Sequence, residues 1–203
     1  MNSSITAIVF DIGNVLLKFD YTLAADRLKQ KNSLTQLPDR DEVVEIKNLY
    51  ESGRLTREEF LARVRPLFAD LGTDEEFMAI WADIFEVNEP MVEFVQQVAG
   101  RVPIYLLSNI GCIHLEHIRR QYAFFQQFDG GVFSYQVTCA KPEPEIYVRA
   151  TESLRLEPST TLFIDDLPEN IEEATRQGWR GLRYQFQKHA DFLSAVRRLG
   201  LTD

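Results

Sequence analysis

The chain of 203 residues is poor in cysteine, with Cys112 and Cys139 alone. Two cysteines are too few for a disulfide framework, so a reducing compartment, the cytoplasm, is the expected location. Basic charge is also scarce: 22 Lys and Arg stand against 31 Asp and Glu, a formal net charge of −9. A general nucleic-acid binder carries a basic face, which excludes nucleic acid as the default partner. A small anionic ligand stays open, because one local lysine or metal ion outweighs the global field. No apolar run approaches the ~20 residues that cross a bilayer, so no membrane span is expected. The start of the chain lacks a basic segment and runs into Asp11, against a secretory signal. Internal repeats, low-complexity tracts and flexible linkers are missing too. The remainder is ordinary for a globular protein, 45% hydrophobic and 26% charged, and long enough for one large domain or two small ones.

Ile5 to Phe10 is apolar, rich in β-branched residues and ended by Asp11, which predicts a buried strand. From Tyr21 to Phe85 the periodicity is helical. Thr56 to Glu59 is a capping box that opens a stripe of Phe60, Val64, Leu67, Phe68 and Leu71. Thr73 to Glu76 repeats the signal ahead of Phe77, Ile80, Trp81 and Ile84. A third stripe (Val43, Ile46, Tyr50) ends at Gly53, the expected residue just past a helix. After Glu89, short apolar strands (104–107, 132–134, 162–164, 181–184) alternate with helices (91–98, 114–121, 144–155, 169–177, 191–199). The alternation predicts a Rossmann-like doubly wound parallel sheet. Residues 1–17 and 89–203 then form an α/β core, and residues 18–88 an α-helical bundle cap inserted after the first strand.

Polar residues follow the strands. Asp11, Ser108 with Asn109, and Asp165 with Asp166 each come directly after an apolar run. In open α/β sheets the ligand crevice lies beyond the carboxyl ends of the strands, so these groups are expected near one point. Lys141, followed by Pro142, adds a cation in a loop ahead of a helix. Crowded carboxylates call for a hard divalent cation with oxygen ligands, and Mg2+ fits. Cation, lysine and the Ser–Asn donors together suit an anionic phosphoryl group, against which a carboxylate can act as nucleophile. Singly, each of these residues reads as a helix cap, a turn or a surface charge. Their joint occurrence at matched strand ends favours a site.

Phe10-Asp11-Ile12-Gly13-Asn14-Val15-Leu16, Leu107-Ser108-Asn109, Lys141-Pro142-Glu143 and Phe163-Ile164-Asp165-Asp166-Leu167-Pro168-Glu169-Asn170 resemble, in order, the four motifs of the haloacid dehalogenase-like hydrolases. The first and last motifs, with Tyr50 to Thr56 and Glu59-Phe60, are similar to the sugar-phosphate phosphatase branch that includes the bacterial α-D-glucose-1-phosphate phosphatases. The resemblance implies a Mg2+-dependent phosphomonoester hydrolase of a small phosphorylated metabolite, with Asp11 as nucleophile. It implies that Ser108 and Asn109 grip the phosphoryl group, with Asn14 beside them, and that Lys141 neutralises it. Asp11, the Gly13 carbonyl, Asp166 and, directly or through water, Asp165 would hold the cation, and Asn170 would orient the acidic loop. One departure stands out: many phosphatases of the family carry a second Asp, a general acid/base, where this chain has Gly13. Such an acid contributes ~10²–10⁴-fold, so its loss disfavours poor leaving groups. Asp20 and Glu51 are candidates to replace it.

Two alternatives remain at this stage: a metal-independent 2-haloacid dehalogenase with the same nucleophile, and a phosphate-ligand binder that lost turnover with the acid. Asp20, Tyr21, Glu51 and Arg54 are candidates to face the substrate from the cap, with exposed helix as the default. Cys112, His114 and His117 match no zinc spacing and lack a fourth ligand. His114 is a candidate pocket residue, and Cys139 reads as a small buried hydrophobe. Tyr122, Phe124, Phe125 and Phe128 are expected to pack in the core, with a homodimer contact as the alternative.

Overall fold

The computed structural model describes residues 4–32, 38–68 and 72–202. Along the chain come β1 (Ala7–Phe10), β2 (Leu17–Phe19), α1 (Tyr21–Asn32), α2 (Arg40–Glu51), α3 (Arg57–Val64), α4 (Asp74–Ala82) and β3 (Phe85–Val87). There follow α5 (Glu89–Val98), β4 (Ile104–Ser108), α6 (Cys112–Gln121), β5 (Gly130–Phe133), α7 (Ser134–Val137) and α8 (Pro144–Ser153). β6 (Thr161–Asp165), α9 (Pro168–Arg176), β7 (Arg180–Arg183) and α10 (His189–Arg198) complete the series.

β1 is the middle of a five-stranded sheet of order β5-β4-β1-β6-β7, and its pairings with β4 and β6 are parallel. Successive side chains of a strand face opposite ways. Ile8 and Phe10 enter one apolar cluster with Phe94 of α5 and Phe192 of α10. Ala7 and Val9 enter another with Tyr147 of α8 and Ala174 of α9. Both faces of β1 are therefore dry, which is why its sequence is a continuous apolar run rather than an alternation. Phe125 is buried, and Tyr122, Phe124 and Phe128 pack against the first cluster, so the aromatic group belongs to the core.

The helices α1 to α4 lie between β2 and β3, which pair antiparallel with Leu17 opposite Val87 and Phe19 opposite Phe85. This two-stranded stem was not legible as strand, because three residues are too few to show a period of two. β2 also straddles the boundary expected between residues 17 and 18. Asn88, just beyond β3, fastens the stem: its Nδ2 donates to Val15 O at 2.6 Å and to the Tyr184 hydroxyl at 3.0 Å.

Both expected capping boxes form, Thr56 with Glu59 and Thr73 with Glu76. Gly53 ends α2 with φ +71°, and a Cβ there would lie 2.6 Å from Tyr135 O. Phe60, Val64, Phe68, Phe77 and Trp81 share one core with Tyr50; Leu71 lies outside the described residues. Phe60 stacks on Tyr50 with centroids 4.4 Å apart. Phe60→Ala is expected to cost about 3–5 kcal/mol, read as a lowered midpoint in urea unfolding.

That helical core includes Ile113 from α6. Tyr50 accepts a hydrogen bond from Ile113 N at 2.9 Å and pairs with Cys112 Sγ at 3.1 Å. Its ring lies where a Cβ on Gly111 would be, so α2 sits directly on the start of α6. Elsewhere the boundaries shift slightly. β5 begins at Gly130 and stops before Ser134, which opens α7. Gly131 carries no apolar signal, yet only glycine fits, since a Cβ would meet Leu106 Cβ at 2.9 Å.

Candidate active site

Asp11 follows β1, Ser108 ends β4 and Asp165 ends β6. The three strands are neighbours, so their carboxyl ends converge. One oxygen each from Asp11, Asp165 and Asp166 lies within 4.8 Å of the others. Lys141, 6% exposed, enters between the first two: Nζ is 2.8 Å from Asp11 Oδ1 and 2.6 Å from Asp165 Oδ2.

Burial pushes the Asp11 carboxyl up to about 6; Lys141 pulls against this and Asp165 adds to it. Burial and then Asp165 also raise Asp166. Burial by itself would lower the Lys141 ammonium, but Asp11 and Asp165 outweigh it and the net direction is upward. Lys141 is therefore charged at neutral pH, one cation facing three acids. Asp11 Oδ1 is buried and accepts no well-aligned hydrogen bond among the described residues, its contact with Lys141 being an ion pair. A site so short of positive charge, built of hard oxygen donors, fits a divalent cation such as Mg2+.

The loop after β1 supplies a further donor. Ile12 O accepts from Leu17 N and Leu17 O accepts from Asn14 N. No main-chain donor meets the Gly13 carbonyl among the described residues, which leaves it available as a ligand. A Cβ on Gly13 would come 2.9 Å from Phe19 Cε1. The place of the missing acid is thus taken by a ring of the stem.

Neighbouring side chains hold these groups in place. Asn170 Nδ2 donates to Asp165 Oδ1 at 2.9 Å and Oδ2 at 3.0 Å, and Leu167 N donates to Oδ1 at 2.9 Å. With Lys141 on Oδ2, both Asp165 oxygens are engaged by protein donors, which fasten Lys141 and the acidic loop to β6. Asn109 is engaged likewise: Nδ2 donates to Lys141 O and Oδ1 accepts from Lys141 N, each at 2.8 Å. Its amide thus clamps the Lys141 backbone, and Asn109 also lines the cavity beside Asp11 with a second Nδ2 hydrogen to spare. Asn14, at φ +54°, donates to Asp166 Oδ2 at 3.2 Å. Ser108 keeps a hydroxyl with no protein partner among the described residues.

A cavity of about 310 Å³ joins Asp11, Gly13, Asn14, Ser108, Lys141 and Asp166 to Tyr21, Lys47, Glu51 and His114 on the opposite wall. Of the cap candidates, Tyr21 and Glu51 therefore reach the cavity. Asp20 instead caps the start of α1 through Thr22, and Arg54 pairs with Glu143 at 3.8 Å. Lys47 was missed in the sequence; its only trace is an opposite charge four residues before Glu51. Phe19 and Phe85, also lining residues, were missed because the stem strands were. Cys112 packs with Tyr50 and Arg57, and no cluster of metal ligands forms around it, His114 or His117 among the described residues. Cys139 is buried, as expected.

A doubly wound sheet with acids and a lysine gathered at its central carboxyl edge defines the class: an α/β enzyme whose site is built for an anionic group. The family follows from comparison. A profile of the haloacid dehalogenase-like hydrolases matches residues 5–178, and the chain belongs to that family, in its phosphatase branch. It is similar to the D-ribitol-5-phosphate phosphatase of Bacteroides thetaiotaomicron, 28% identical over 195 residues, 91% of this chain and 93% of the relative. A haloacid dehalogenase family enzyme from the same organism, solved with magnesium and inorganic phosphate, superposes with a TM-score of 0.79 at 24% identity, covering 90% of this chain and 95% of the other. The L-2-haloacid dehalogenase of Xanthobacter autotrophicus, solved with chloropropionic acid covalently bound, gives a TM-score of 0.61 at 22% identity, covering 88% and 77%. These two likenesses establish the fold. No helix among the described residues is long and apolar enough to cross a membrane.

Proposed function

We propose that this phosphatase is a Mg2+-dependent phosphomonoester hydrolase of a small phosphorylated metabolite, a sugar or polyol phosphate, acting through an aspartyl phosphate on Asp11. The observation that carries this reading is the buried Asp11 carboxylate, 2.8 Å from Lys141 and clustered with Asp165 and Asp166. The relative's action on D-ribitol 5-phosphate and the magnesium and phosphate bound in a structural neighbour support it.

Asp11 attacks phosphorus, the bond from phosphorus to the ester oxygen breaks with its electron pair on that oxygen, and the oxygen takes a proton from solvent water to leave as the alcohol. Lys141 offsets the charge of Asp11 and of the phosphoryl oxygens, and the Ser108 hydroxyl donates to one of them. Water then attacks phosphorus in the aspartyl phosphate, releasing phosphate and restoring Asp11. Mg2+, held by Asp11, Asp166 and the Gly13 carbonyl, would supply further neutralisation of the phosphoryl charge. Residues 18–88 act as a cap over the core of 1–17 and 89–203, excluding water and contacting the leaving group. Without an acid at Gly13, turnover favours leaving groups that need little protonation.

The purified protein is expected to release phosphate from an aryl phosphate and from sugar phosphates with Mg2+, to stop in EDTA, and to recover when Mg2+ is returned. Metal-independent release of chloride from a 2-chloroacid would support the dehalogenase alternative. Inertness with Mg2+ toward aryl, sugar and acyl phosphates and nucleotides would overturn the enzyme reading.

A further inference from the structure

Four polar side chains on the cap side of the cavity have no part in the phosphate chemistry. Lys47 Nζ donates to Glu51 Oε2 at 2.6 Å, and the Tyr21 hydroxyl donates to Glu51 Oε1 at 2.7 Å. His114, reaching in from α6, sets Nδ1 4.0 Å from the same Oε1. That gap exceeds a hydrogen bond. Its other nitrogen, Nε2, is 3.0 Å from Trp81 O. A carbonyl can only accept, so the ring proton is assigned to Nε2, and Nδ1 carries a lone pair. Burial lowers the His114 pKa despite Glu51, which keeps the ring neutral.

The inventory is lopsided in a way that points to a ligand. His114 Nδ1 and Glu51 Oε1 are two acceptors 4.0 Å apart with no hydrogen between them, so each has room for a donor from the cavity they line. Tyr21 has given its hydrogen to Glu51 but keeps acceptor capacity on its oxygen. Lys47 uses one N–H on Glu51, lies over the Tyr21 ring at 5.2 Å from its centroid, and makes no other hydrogen bond among the described residues. The Lys47 and Glu51 side chains are only 19% and 14% exposed, and the rings of Phe19 and Phe85 line the same cavity. Partly desolvated charge in such a setting is costly unless its remaining hydrogen-bonding capacity is met. A hydroxyl group meets both needs, donating to His114 or Glu51 while accepting from Lys47. An apolar alcohol meets neither and would leave these groups dry and unpaired. A cavity of about 310 Å³ also stands at the small end of ligand sites, which suits a short chain.

We propose that Glu51, oriented by Lys47 and Tyr21, forms with His114 Nδ1 a hydroxyl-recognition site for the leaving group, selecting phosphate monoesters of polyhydroxylated alcohols over those of apolar alcohols. The proposal rests on the phosphatase reading of the Asp11 site and adds the residues that choose the alcohol.

The test uses a pentitol phosphate and pentyl phosphate, matched in carbon number and differing in hydroxyls. The wild-type protein is expected to favour the pentitol ester in kcat/KM. Glu51→Gln should reduce that preference by about 10–100-fold, chiefly through KM for the pentitol ester, the size expected for a lost charged hydrogen bond. Tyr21→Phe should move the ratio the same way by a smaller factor. Lys47→Met provides the same comparison if Glu51→Gln does not fold. A network that merely braces α2 against α1 would lower thermal stability and leave the ratio unchanged, and an unchanged ratio overturns the proposal. So does a wild-type protein that hydrolyses both esters with equal kcat/KM, an outcome that leaves the Asp11 chemistry standing. If neither ester is hydrolysed, the catalytic reading fails separately. Calorimetric binding of both esters to Asp11→Asn then decides the hydroxyl preference without turnover, and equal affinities overturn it.

Discussion

Replacing Asp11 with Asn is expected to lower phosphate release by about 10⁴-fold or more. The two side chains have the same shape, but an amide has no charged oxygen to form a bond to phosphorus. The effect should fall on kcat. Wild-type protein quenched during turnover should carry a phosphoryl adduct on the peptide containing Asp11, and the variant should carry none. Burial raises the Asp11 carboxyl to about 6 even with Lys141 beside it, so its charge costs stability at neutral pH and the metal-free variant should be at least as stable as wild type. A variant that turns over at the wild-type rate would reassign the nucleophile.

Lys141→Met is expected to damage both activity and stability, because one ammonium serves two acids. Removing it leaves Asp11 and Asp165 buried without their cation. Breaking a buried ion pair from one side costs about 3–5 kcal/mol, which in a chain of this size lowers Tm by roughly 10 °C. Turnover should fall by about 10²–10³-fold through lost stabilisation of phosphoryl charge. Lys141→Arg should not restore it, since a planar fork is not interchangeable with a compact ammonium lodged between two carboxylates. Saturating Mg2+ should return part of the lost Tm by neutralising the same acids. A Lys141→Met protein as stable as wild type would mean that the acids are not ionised together in the fold.

The strand ends were legible because burial on both faces writes a continuous apolar run, and the first polar residue after it marks the crevice. Asp11, Ser108 and Asp165 were found in that way, and α3 and α4 of the insertion were found from their capping boxes. The direction of a side chain's hydrogen bonds leaves no such mark. Nothing in the sequence therefore shows that Asn109 also clamps the Lys141 backbone, or that Asp165 also receives Lys141, Asn170 and Leu167 N. The far wall of the cavity was the least legible part. Lys47 and Glu51 look like an ordinary surface pair on a helix until α1, α2 and α6 are assembled around them.

The attachment of Tyr50 to α6 has a mechanical consequence. The insertion is joined to the core at the paired strands β2 and β3, fastened by Asn88, and again where Tyr50 lies over Gly111 and receives the Ile113 N–H. Further contacts continue the same seam: Trp81 O meets His114 Nε2, Arg57 reaches Cys112, and the Ser134 hydroxyl donates to Glu51 O. The insertion is thus seated on α6 and α7 along a line of contacts rather than hung from its stem alone. Glu51, the residue after Tyr50, is held by its own backbone on that seam, so its place opposite Asp11 is set by the core as much as by the insertion.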